Sequence, residues 1–152
     1  MDRATEQIEQ QLTILFRRVQ RIHLSTSSGE VDLDRSAYGI LCRLADEGPQ
    51  RLGLLATAFG LDPSTITRQV QAMEKAGLVH RAQDAEDRRA SILDLTEEGK
   101  VVLAHTRAYR RQRLEAVLTD WSDGEREELG VLLEKMNTSI ASLVDGRPHQ
   151  VQ

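Results

Sequence analysis

Two short helical segments separated by a very tight turn constrain this chain more than any other feature. Leu52 to Phe59 is a brief apolar stretch closed by Gly60, and only Leu61 and Asp62 stand before the next helix, 63–76. Asp62-Pro63 opens that helix firmly, because Asp caps free backbone amides and Pro at the first helical position gives up no needed donor. Ile66, Val70 and Met73 share one face at helical spacing, and Gly77 ends the segment. Two helices joined this closely read as a helix-turn-helix.

The period then changes from helical to extended. Residues 78–83 and 90–95 flank the charged turn 84–89, Asp-Ala-Glu-Asp-Arg-Arg, and predict a β-hairpin, or wing. Thr96 caps a long helix that begins Glu97-Glu98, an acidic first turn suited to the positive end of the helix dipole, and runs to about Thr119. Ser122-Asp123-Gly124-Glu125 has the spacing of a capping box, and the helix it starts carries Leu129, Leu132, Leu133, Met136, Ile140 and Leu143 on its apolar side. Upstream, Ile8, Leu12, Leu15, Val19 and Ile22 alternate at spacings of four and three from Thr5 to about Leu24, and the small polar run 25–32 around Gly29 reads as a loop. A further helix, Arg35 to Glu47, has Asp34 as N-cap, Ala37, Leu41 and Leu44 inward, and Gly48-Pro49 as its stop.

The fold class is therefore mainly α with a small β-hairpin: a winged helix-turn-helix reader embedded between N- and C-terminal dimerisation helices. The divisions are 1–32 for the first helix and loop, 33–96 for the reader, 97–145 for the closing helices, and 146–152 for a disordered tail. A single reader has no use for the long outer seams. Ile8, Leu12, Leu15, Val19, Leu132, Met136 and Ile140 predict that two copies interlock through them as a symmetric dimer.

Opposite the buried face of helix 63–76 stand Ser64, Arg68, Gln71 and Lys75, with Thr65 and Thr67 at the flanks. Arg donates twice to a guanine edge, Gln pairs with adenine, and Ser or Thr binds bases or phosphates, so this face suits a DNA major groove. Most polar helix faces are merely solvated; the short helix and tight turn before this one favour a recognition helix. At the hairpin tip Arg88 and Arg89 suit a narrow minor groove, and Asp87 is expected to hold one of them by a charge-assisted pair. The formal charge of −4 argues against a polyanion only until its distribution is considered. Residues 64–93 hold five basic and four acidic side chains, whereas 122–134 set five acids against Arg126 and point away from DNA.

From Asp62 to Gly99 the chain resembles the MarR family (multiple antibiotic resistance regulators): a Ser/Thr-rich recognition helix with Thr-Arg, then Met-Glu-x-x-Gly-Leu-Val, an Asp-x-Arg wing, and Leu-Thr-x-x-Gly. Weaker similarity covers 36–61 and the outer helices. The resemblance implies that Ser64, Thr65, Thr67 and Arg68 contact the major groove and that Asp87 and Arg89 form the wing pair. Met73 stands where the family often has Leu, and Gly53 takes the place of the usual hydroxyl cap of the preceding helix. It further implies a homodimeric, ligand-responsive repressor on a palindromic double-stranded DNA operator, released by a small aromatic or phenolic effector. Candidate linings for that effector are His23, Tyr38, Cys42, Tyr109 and Trp121, each of which also serves as ordinary packing.

Other functions find less support. Cys42 is the only cysteine, so an internal disulfide is excluded, and the four histidines share no metal-ligand spacing, so no metal or cofactor is implied. A redox switch through Cys42 is an alternative, as is a winged helix that docks a protein; Arg68 and Arg89 favour DNA over the latter. No nucleophile with a base, metal set or phosphate loop appears, so an enzyme is not expected. No apolar run spans a bilayer and the first residues lack a signal-peptide layout, which predicts a cytoplasmic protein with no membrane partner.

Overall fold

The computed structural model describes residues 2–21, 33 and 35–144. Its elements run α1 (Arg3–Arg21), α2 (Arg35–Glu47), β1 (Gln50–Arg51), α3 (Leu52–Phe59), α4 (Pro63–Lys75), β2 (Val79–Gln83), β3 (Ser91–Leu95), α5 (Glu97–Val117) and α6 (Asp123–Val144). The expected mainly helical architecture with a wing is present. The wing, however, belongs to a three-stranded antiparallel sheet ordered β1-β3-β2, in which Gln50 lies opposite Leu93 and Arg51 opposite Ile92. Ile22 of the first seam, the 25–32 loop, the Asp34 cap and the 146–152 tail lie outside the described residues. The chain forms two compact units, Met1–Arg113 and Leu114–Gln152, and each is described in turn.

In the first unit the core gathers Ala37, Ile40, Leu41 and Leu44 of α2, Leu55 and Ala56 of α3, and Ile66, Val70 and Met73 of α4. Leu78, Val79, Leu93 and Leu95 close it from the sheet side, with Leu33 and Leu103. The inward faces expected for α2 and α4 are buried, and Ile40 joins them. Each Leu, Ile, Val or Met among them contributes about 1.5–3 kcal/mol on full burial. This core fixes α4 against the sheet, so the outer face of α4 and the wing are carried by one rigid body.

The helix ends follow local chemistry. Gly60 adopts φ +60°, and its amide and that of Leu61 bond back to Thr57 and Ala56, which stops α3 in time for the turn. One expectation is corrected: Gly53 is not the cap of α3. The N-cap is Arg51, whose side chain makes no capping bond, and Gly53 lies inside the helix. At the other end of the reader, the Thr96 hydroxyl accepts from Gly99 N–H (3.0 Å) and donates to the Gly77 carbonyl (2.5 Å). It thus caps α5 and ties its start to the turn after α4.

Over residues 3–19 of α1 none is buried; Ile8, Leu15 and Phe16 are exposed and Leu12 and Val19 only partly covered. In the second unit α5 ends at Val117, two residues before Thr119, whose hydroxyl donates to the Ala116 carbonyl (2.9 Å). The capping box is made as expected: Ser122 N–H donates to Glu125 Oε2 (2.8 Å) and Glu125 N–H to Ser122 Oγ (3.2 Å). Arg126 bonds Glu115 (2.8 Å) and the Leu118 carbonyl (2.6 Å), closing the turn between α5 and α6. No residue of α6 is buried.

Candidate nucleic-acid interface

Asp62 sets the start of α4. Its Oδ1 accepts from Thr65 N–H (2.8 Å) and Ser64 Oγ (2.6 Å), so Ser64 is oriented by the cap itself. These bonds, Ser64's first, hold the Asp62 carboxyl down at about 2. A lowered carboxylate stabilises the fold fully above its unfolded value near 4, and that contribution is lost as pH falls through about 2. Asp62→Asn keeps an acceptor without the charge. In urea melts from pH 6 to 2 the wild type is expected to exceed this variant at pH 6, the difference closing as the pH falls toward 2; a constant difference would contradict the assignment.

Along α4, Arg68, Gln71 and Lys75 are exposed, with no hydrogen bond or ion pair among the described residues, so their donors are available to a ligand. Thr67 differs: its hydroxyl donates to the Pro63 carbonyl (2.7 Å), leaving only its remaining lone pair and methyl for an outside partner. Thr65 is partly covered. The Arg81–Glu74 ion pair (2.5 Å) ties β2 to the end of α4, which limits movement of the wing against that helix.

The wing turn is built mostly from backbone bonds. Asp84 N–H donates to the Ala90 carbonyl and Ala90 N–H to the Asp87 carbonyl, both at 3.0 Å. Gln83 Nε2 donates to the Arg88 carbonyl (2.7 Å). The role expected for Asp87 is corrected here: its carboxylate accepts from the Arg89 backbone N–H (3.0 Å) and makes no ion pair with either guanidinium. Asp87 therefore shapes the turn, and the Arg88 and Arg89 side chains extend from it exposed and unpaired among the described residues.

Two residues at the wing's base had no assigned role. Asp84 is buried (6% exposed) and pairs with Arg51 at 2.5 Å. The Glu86 amide, with the Arg51 guanidinium, holds its carboxyl below the usual carboxylate range. The available signal was an arginine immediately before a helix, where a short oxygen-bearing side chain is preferred.

The effector candidates are only partly brought together. Tyr38 and Cys42 pack on the core from α2, and the Tyr38 hydroxyl is raised above its ordinary value, first by burial and then by the neighbouring Cys42 thiol. Arg110 stacks 4.2 Å from the centre of the Tyr38 ring, and Arg107, which neighbours Cys42, pairs with Asp46 (2.9 Å). The cation facing Cys42 thus comes from α5; the adjacent Arg43 turns to Glu47 (3.2 Å). Tyr109 is partly buried on α5, His23 lies outside the described residues, and Trp121 belongs to the second unit, where its backbone N–H donates to the Leu118 carbonyl (3.0 Å). No group of three potential metal ligands occurs among the described residues, and no helix there is long and apolar enough to cross a membrane.

Known proteins share this arrangement. A sequence model described as the MarR family matches residues 33–91. YxaD of Bacillus subtilis (strain 168), described as an uncharacterized HTH-type transcriptional regulator, is 39% identical over 136 residues, covering 89% of this chain and 94% of its own. The HTH-type transcriptional repressor NicR of Pseudomonas putida is 29% identical over 139 residues, covering 90% and 88%. Among solved structures, the transcriptional regulator BldR from Sulfolobus solfataricus superposes with a TM-score of 0.72 at 26% identity, covering 93% of this chain and 99% of that one.

Proposed function

The chain belongs to the MarR family of winged-helix transcription regulators, and from that premise we propose that it is a homodimeric, ligand-responsive repressor that binds a palindromic operator. Regulators of this family are not enzymes. The observation that carries the reading is that Arg68, Gln71 and Lys75 on α4 and Arg88 and Arg89 on the wing are all exposed and belong to one compact unit. Ser64, Thr65, Thr67 and Arg68 at the start of α4 would enter the major groove, and Arg89, in a turn shaped by Asp87, the minor groove. The opposite charge balance of 122–134 suits a part of the molecule turned from DNA.

Pairing is supported by the outer helices. Ile8, Leu12, Leu15 and Val19 on α1 and Leu132, Met136 and Ile140 on α6 offer apolar faces that are exposed or only partly covered among the described residues, and a second copy is the occupant that matches both. Two readers about 34 Å apart would then meet half-sites one DNA turn apart. A small aromatic ligand is supported by the Tyr38, Cys42, Arg107 and Arg110 cluster, where ring and guanidinium faces are concentrated in a chain with 3% aromatics. Its binding would favour a dimer whose reader separation no longer fits the operator.

Binding of operator variants tests the face. Arg68→Ala is expected to lose about 1–3 kcal/mol of discrimination at one base position, whereas Arg89→Ala weakens binding to all sequences alike. Wild-type binding by both variants would remove this face from the reading.

A further inference from the structure

We infer that Arg51 is an additional DNA contact, which takes a backbone phosphate in the cleft between the start of α3 and the base of the wing; this rests on the operator-binding reading above. The cleft, about 580 Å³, is lined by Arg51, Gly53, Leu54, Arg89 and Ser91 among others, and no acidic side chain lines it. Two arginines line it together. Arg51 is carried on β1, held by its register against Ile92 of β3, and Arg89 stands just before β3. A groove lined by two arginines and by no acidic side chain is suited to a phosphate rather than to a base edge.

Asp84 makes the arrangement specific to Arg51. Its carboxylate binds one Nη of Arg51 from a buried position, so it orients the guanidinium while presenting almost no negative charge at the surface. Arg51 itself remains 44% exposed, and a guanidinium carries five N–H donors, so donors beyond the one Asp84 takes remain for an outside acceptor. Gly53 keeps the wall low: a Cβ there would meet nothing within 4 Å. The cleft is continuous with the DNA face already described, because Arg89 belongs to both. Held in this way, Arg51 loses little side-chain freedom on binding, which favours the contact.

The test is the salt dependence of binding to upstream DNA and to unrelated DNA, for wild type, Arg51→Ala, Arg51→Lys and Asp84→Asn, with thermal melts to show that each is folded. Each phosphate contact contributes about 0.9 to the slope of log affinity against log salt, so Arg51→Ala in both protomers is expected to flatten it by about 1.8 and weaken binding by about 60-fold at 0.1 M salt. The loss is alike on both DNAs, and Arg51→Lys restores most of the slope. Asp84→Asn frees the guanidinium without removing it and keeps the wild-type slope. A wild-type slope in Arg51→Ala overturns the inference even if affinity drops, since a mere strut for the wing changes affinity without changing the ions released. If the wild type itself does not prefer its operator, the operator reading falls and this inference with it; wild-type preference with an unaltered Arg51→Ala slope removes the inference alone.

Discussion

Leu132→Asp together with Ile140→Asp is expected to convert the protein to a monomer and weaken operator binding by at least about 100-fold, because linked readers gain 10²–10⁴ in avidity over a single one. Both side chains are more than half exposed on α6, a helix of 22 residues none of which is buried within its own chain. In a lone chain two aspartates there meet water, and surface changes of that kind shift stability by only about 0.5 kcal/mol. Across a dimer interface they become carboxylates removed from water without partners, at several kcal/mol each in order of magnitude. Fold and assembly are thus separable in one variant: circular dichroism as in the wild type, half the mass by sedimentation, and a gel shift lost at operator concentrations that saturate the parent. A variant that stays dimeric would remove α6 from the interface.

Gly99→Ala is the second large effect, and it acts on the reader rather than on assembly. A Cβ at Gly99 would lie 2.0 Å from the Leu78 carbonyl oxygen and 2.9 Å from its carbon. That oxygen cannot simply withdraw, since it accepts from Thr96 N–H (3.1 Å) and Leu78 is buried at 1% exposure. The start of α5 must therefore separate from the turn after α4, straining the Thr96 bridge between Gly77 and Gly99. Overpacking of this severity costs about 3 kcal/mol, at the upper end of the usual range. For a chain of this size that lowers Tm by roughly 10 °C. Gly124→Ala, where a Cβ meets nothing within 4 Å, serves as the control and is expected to melt as the wild type does. Equal melting of Gly99→Ala would show that α5 does not press on this turn.

How much of this was legible in the sequence depended on whether a feature repeats. The buried faces of α2 and α4 were readable because Ala37, Leu41 and Leu44, and Ile66, Val70 and Met73, recur at helical spacing. Asp62, Thr96 and Ser122 were readable because capping uses few residue types at fixed offsets. β1 was not: two residues display no alternation, and its pairing with β3 depends on a partner some forty positions away. With β1 unseen, Arg51 and Asp84 were an unremarked surface residue and one acid in a charged turn, although their ion pair joins the wing to α3. The cap of α3 was placed at Gly53, two positions past the actual N-cap Arg51, because α3 starts without any side-chain cap to mark it. Asp87 was assigned to a guanidinium since side-chain pairing is suggested by adjacency, while the backbone amide of Arg89, equally near, leaves no trace in residue type. The candidate DNA face is similar in kind: its residue types were readable, and the structure adds which of them are already engaged, Ser64 by the cap and Thr67 by Pro63.

The most direct measurement is a gel-shift titration of the purified protein on the DNA upstream of its own gene and neighbouring genes, with salt varied, unrelated DNA as competitor, and the stoichiometry of the complex determined. Two chains per site, binding that resists the competitor, and protection of two half-sites about 10 base pairs apart are the predicted result. Binding no tighter than to unrelated DNA across those regions, or a single chain per site, would contradict a homodimeric operator-binding regulator of this locus.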